Sequence, residues 1–85
     1  MKGKRVVITA LGPHDSYYME GLDQYKIVGR TGILKELYKL PITSPDYVAC
    51  RIHLDEPILN YIAIVTLVDC KIERIENETY KNIGI

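Results

Sequence analysis

From Tyr47 to Leu54 the chain separates into two faces: Val48, Cys50, Ile52 and Leu54 on one, Tyr47, Ala49, Arg51 and His53 on the other. A period of two is the signature of a strand with one buried side, and Asp55-Glu56-Pro57 is expected to end it. Lys4–Thr9 reads the same way, with Val6 and Ile8 inward. Ile33–Leu40 predicts another strand, closed by Pro41; Leu34, Leu37, Tyr38 and Leu40 also have near-helical spacing, but the strand agrees with the glycine turn before it and the β-character elsewhere. Tyr61–Val68 is apolar on both faces, Ile62, Ile64 and Val68 against Ala63, Val65 and Leu67, so each side needs a cover. Asp69 interrupts this run, and Cys70–Ile75 reads as a fifth, short strand.

The connections are rich in turn formers. A long loop is predicted from Ala10 to about Gln24, holding Gly12, Pro13, Asp15, Ser16 and Gly21. Tyr25–Val28 reads as a short extended piece, and Gly29 and Gly32 then turn the chain into the next strand. Pro45 keeps the segment Ile42–Asp46 out of any central strand. The polar tail from Glu76 ends in Ile83-Gly84-Ile85, and there is no internal repeat or low-complexity tract.

With 85 residues the chain makes one domain, residues 1–85, with 76–85 as its C-terminal tail. A domain of this size buries roughly 60–65% of its unfolded surface, which predicts modest stability. Hydrophobic residues make up 47%, too many for a disordered chain. Every aromatic is one of seven tyrosines, whose polar tips suit rims and interfaces. Eleven basic residues balance eleven acidic ones, which argues against a broad cationic surface for nucleic acid and favours self-association. The run Val6–Leu11 is too short for a signal peptide and lacks a cleavage pattern, and no run approaches the ~18 apolar residues of a membrane helix. The expected setting is therefore cytoplasmic, without membrane contact, and there the Asn77-Glu78-Thr79 sequon carries no meaning.

The stretch from Ile27 to Lys35, an apolar pair, Gly29, two residues, Gly32 and an apolar run, resembles a KOW motif, and Lys2-Gly3-Lys4-Arg5-Val6 resembles the opening of SH3-like barrels. The resemblance implies an all-β, five-stranded SH3-like barrel with a long loop after the first strand. The chain also resembles short SH3-like proteins of phages and their bacterial hosts, which implies a modulator of a host protein as one role. KOW modules bind RNA and proteins, and the matching positions here are Arg30 and Lys35.

The loop Gly12–Tyr18 is the first binding candidate: His14 and Asp15 form a hydrogen-bonding pair, and Tyr17 and Tyr18 can stack on a base or a partner surface. Arg51, His53 and Asp55 share a strand face that suits an anion or a carbonyl. Tyr61, Ala63, Val65 and Leu67 are the candidate interface of a homo-oligomer. Cys50 and Cys70 read as small buried hydrophobes, and their spacing from His14 and His53 matches no zinc site. No nucleophile–base set or paired carboxylates stand out, so neither catalysis, cofactor nor metal is expected. The favoured reading is a non-enzymatic binding module for a protein partner that also self-associates. Alternatives are a nucleic-acid module using Lys2, Lys4, Arg5, Arg30, Lys35 and Arg51, and a binder of a small ligand such as a nucleotide.

Overall fold

The computed structural model describes residues 2–18, 26–38 and 46–75. The expectations for Gly21, Gln24, Tyr25, the end of the second strand at Leu40, the loop at Pro41–Pro45, the sequon and the tail 76–85 lie outside them. Among the described residues the chain is all-β apart from one short helix: β1 (Arg5–Leu11), α1 (Pro13–Tyr18), β2 (Thr31–Tyr38), β3 (Val48–Ile58) and β4 (Ile62–Arg74). All pairings are antiparallel, β1 to β2, β2 to β3, β3 to β4 and β4 back to β1, so the sheet closes on itself.

Among the described residues there are four strands where five are predicted, because the pieces read at Tyr61–Val68 and Cys70–Ile75 fall in one strand, Ile62–Arg74. Asp69 does not break it. Cys50 faces Leu67 while Val48 faces Cys70, so two steps of β3 are matched by three of β4. The extra residue is a β-bulge, which reverses the inward face along the strand: Val65 and Leu67 point inward before it, Cys70 after it. Asp55-Glu56-Pro57 does not end β3 either. The register jumps from His53↔Ile64 to Ile58↔Ile62, and this irregular stretch accommodates a proline that has no N–H for the ladder.

The core lies inside the closed sheet. Val6 and Ile8 of β1, Leu34 of β2, Cys50, Ile52, Leu54 and Ile58 of β3, and Val65, Leu67 and Cys70 of β4 are buried there, with Ile27 entering from the turn before β2. The two-residue alternation predicted for β1 and β3 is thus what fills it. Of the strand read at Ile33–Leu40, the described part, up to Tyr38, is strand and not helix, within β2.

The two glycines before β2 serve different needs. Gly29 has φ +94°, and its N–H donates to the Ile8 carbonyl at 2.7 Å, in a turn also closed by Arg30 N–H to the Ile27 carbonyl at 3.1 Å. Gly32 lies so close to β3 that a Cβ would run into the His53 carbonyl oxygen and come within 2.9 Å of Leu54 Cα.

Leu59, Asn60 and Tyr61 join β3 to β4; Leu59 and Asn60 have φ of 54° and 70°, and Tyr61 N–H donates to the Ile58 carbonyl at 3.2 Å. Two successive positive φ values match the central pair of a type I′ turn, whose preferred residues are Asn and Gly. A leucine in the left-handed region costs roughly 1–2 kcal/mol. Replacing Leu59-Asn60 by Asn-Gly is expected to stabilise the fold by about 1 kcal/mol, raising Tm by about 4–8 °C in dilute solution. A lowered Tm in the thermal melt would contradict this turn.

Candidate interaction surface

The segment expected to be a loop after β1 contains a six-residue helix that owes its existence to a strand far along the chain. So short a helix is not stable by itself. Pro13 opens it and has no N–H to satisfy. The next two N–H groups donate to the Asp69 carboxylate of β4, His14 to Oδ2 at 3.0 Å and Asp15 to Oδ1 at 2.8 Å. Asp69 therefore caps the helix in the manner of an N-cap side chain, but from 54 and 55 residues away. Gly12 N–H also donates to the Asp69 carbonyl at 2.6 Å, and a Cβ on Gly12 would collide with the Asp69 carboxylate.

The exchange is reciprocal. The Asp15 carboxylate accepts from Val68 N–H at 2.9 and 3.2 Å and from Asp69 N–H at 2.9 Å. These are the backbone donors of the β4 bulge, and a buried donor without a partner would be costly. Burial pushes the Asp15 carboxyl above its ordinary value; the N–H bonds from Val68 and Asp69 oppose this, while the Asp69 carboxylate reinforces it. Asp69 is also raised by burial, but N–H bonds from His14 and Asp15, together with the His14 ring at 3.1 Å, more than offset this and leave it lowered.

The loop expectation is accordingly corrected. Asp15 is 3% exposed and fully engaged, so it offers nothing to a ligand; its carboxylate holds the helix to the bulge. His14 is half exposed beside Asp69. Tyr17 is 71% exposed on the helix, and the side chain of Tyr18 lies outside the described part.

The other candidates divide between two places. Arg30 lines a cleft of ≈ 400 Å³ with Gly29, Thr31, Asp55 and Glu56. Its Nε donates to the Lys26 carbonyl at 2.5 Å and its Nη1 reaches the Glu56 carbonyl at 3.5 Å, so this arginine braces the turn. Asp55 accepts from Thr31 Oγ1 and Arg5 Nη2, both at 2.5 Å, and so is tied to β1 and β2 rather than grouped with Arg51 and His53. Those two residues are exposed on the outer face, where His53 faces Ile33 on one side and Ile64 on the other. Arg51 donates to Glu36 Oε1 at 3.3 Å, and the Tyr38 hydroxyl donates to Glu36 Oε2 at 2.6 Å, which lowers the Glu36 carboxyl. Lys35 is exposed at the β2 irregularity between Leu34 and Glu36.

The predicted interface strand is also corrected. Val65 and Leu67 are core residues, Ala63 is half buried, and the outward apolar residue is Ile64, 53% exposed. Thr66, on the same side as Ile64, is the sequence signal for which face meets water. Tyr61 is 74% exposed, and Leu59 beside it is 51% exposed. Leu59, Tyr61 and Ile64 thus place three large apolar side chains on one hairpin. Leu59 and Ile64 were not among the sequence candidates.

Comparison with protein-family models, with curated proteins and with solved structures returns no match to this chain. No helix among the described residues is long and apolar enough to cross a membrane.

Replacing Asp15 by Ala removes the carboxylate that accepts from the Val68 and Asp69 N–H groups and is expected to cost about 2–4 kcal/mol in urea unfolding; a loss below about 0.5 kcal/mol would contradict the role given to it. The two carboxyls also set opposite pH dependences. Because Asp69 is lowered, the unfolded chain binds its proton more readily, and stability is lost as pH falls through 3.8 and below. Because Asp15 is raised, the native state holds its proton above 3.8, and that contribution is lost as pH rises through the raised value. Urea titrations across this range should show Asp69→Asn flattening the acid limb and Asp15→Asn the limb above it.

Proposed function

We propose that this chain is a small, non-enzymatic SH3-like barrel module that works by binding protein surfaces, first of all a second copy of itself. The contact is made by the tip and outer face of the β3–β4 hairpin. The observation that carries this reading is the exposure of Leu59, Tyr61 and Ile64 together, with Leu59 held at a backbone conformation that asparagine or glycine would adopt at lower cost. A residue that strains its turn and leaves half its side chain in water is better explained by a contact than by the fold.

Three further features support it. The sheet pairs back on itself, so contact through this hairpin rests on side chains rather than on strand addition at an open edge. The balanced formal charge means that two copies meet without net repulsion. Arg51 and His53, beside Ile64 on the outer face, suit the polar rim of such a contact. The nucleic-acid reading is less well supported, because Arg30 is engaged by backbone carbonyls, Arg51 by Glu36 and Arg5 by Asp55.

Light scattering coupled to size exclusion is expected to find an assembly that dissociates on dilution. Ile64→Lys should weaken it at least about tenfold, the loss of one interface anchor, with Tm of the dilute protein unchanged. Leu59→Asn should weaken it while stabilising the isolated chain. A wild-type monomer at every concentration would overturn the self-association.

A further inference from the structure

Cys50 of β3 and Cys70 of β4 are free thiols, both fully buried, and lie 20 positions apart in sequence. The closed sheet brings their sulfurs to 3.5 Å. The two residues are not direct partners: Cys50 faces Leu67 and Cys70 faces Val48, and the bulge between Leu67 and Cys70 is what sets the two thiols side by side. A disulfide needs about 2.05 Å between sulfurs. Closure has to shorten the separation by about 1.5 Å, through side-chain rotation and movement of the strands.

We propose that Cys50 and Cys70 are a redox-modification site, closing to an intrachain disulfide when the folded protein meets a peroxide. Two thiols and one peroxide give one disulfide and two molecules of water. One S–H is oxidised to a sulfenic acid as the O–O bond breaks, releasing the first water. The second sulfur then attacks the first, the S–S bond forms, and the sulfenic oxygen leaves as the second water. Two electrons pass from the sulfurs to the peroxide oxygens, and no other reactant is needed.

The surroundings suit this chemistry. Cys70 lies in the wall of a cleft of ≈ 330 Å³ whose other walls include Thr9, Asp46, Lys71 and Glu73, so the buried pair sits directly behind a surface cleft. A hydrogen bond with Cys70 lowers the Cys50 thiol, whereas that same bond and burial raise the Cys70 thiol. Either sulfur can be the donor of the bond between them, and at this separation a sulfenic acid formed on one lies beside the thiol of the other. The bond would fasten β3 to β4 one residue beyond the Asp69 that caps the helix, so oxidation stiffens the point where helix, bulge and hairpin meet.

Intact mass spectrometry of the folded wild-type protein after treatment with hydrogen peroxide tests this. The expected result is a monomer lighter by two hydrogens, a digest linking the Cys50 and Cys70 peptides, and reversal by dithiothreitol. Oxidation should raise Tm by about 5–15 °C. Oxygen added to either sulfur without bond formation, disulfide-linked dimers, or thiols that stay unreacted in the folded state while the urea-unfolded chain oxidises would each overturn the proposal. An unchanged or lowered Tm after the bond forms would overturn its fit to the native strands.

Discussion

Two aspartates that exchange backbone hydrogen bonds hold this fold together at its least regular point. Asp69 takes the first free N–H groups of the helix, and Asp15 takes the N–H groups freed by the bulge on β4. Each carboxylate solves a problem created by the other's element. A six-residue helix has too few internal bonds to persist, and a bulge leaves donors that the ladder cannot use. Brought together, the two irregularities satisfy one another, at the cost of placing two carboxyls close in a buried setting. The opposite displacements of their acidities, Asp15 upward and Asp69 downward, express that arrangement.

The bulge has consequences along the rest of β4. It moves the inward face from Val65 and Leu67 to Cys70, which lets one long strand serve the core at both ends. It also puts Cys70 beside Cys50, and it leaves Ile64 pointing away from the core near the hairpin tip. The clasp, one thiol of the close pair and Ile64 of the proposed contact surface thus share one strand. What lies on its outer face is available to a partner because what lies on its inner face is fixed by the clasp and the core.

Much of the sheet can be read from residue pattern. Val6 and Ile8, and Cys50, Ile52 and Leu54, obey a period of two and are buried as that period requires. The turn at Gly29 and Gly32 is also legible, since few other residues fit a positive φ or so close a strand crossing. The helix is not legible, because its cap is a side chain on β4 and nothing local announces it. Asp69 looks like a break for the same reason: a charge within an apolar run signals an end unless a distant segment supplies its donors.

The candidate surface was legible only in part. Tyr61 is exposed, but an apolar run on both faces does not say which face is inward, and Thr66 is the lone polar vote for the side of Ile64. Leu59 escapes notice because a leucine is not a turn former; only Asn60 hints at the hairpin. His14 and Asp15 stand out in the sequence as polar groups in a loop, but each bonds to Asp69 of the protein's own β4 and not to the other. Arg30 and Arg51, which the KOW resemblance and the strand alternation bring forward, are at separate places and bonded to their neighbours.

Native-state amide hydrogen exchange reads the clasp most directly, because it reports each donor by itself. The amides of His14, Asp15, Val68 and Asp69 should all be protected and should open together, with a free energy close to that of the β3–β4 ladder. Exchange of the His14 and Asp15 amides at the rate of an exposed chain, while the ladder stays protected, would contradict the account and leave the helix without its cap.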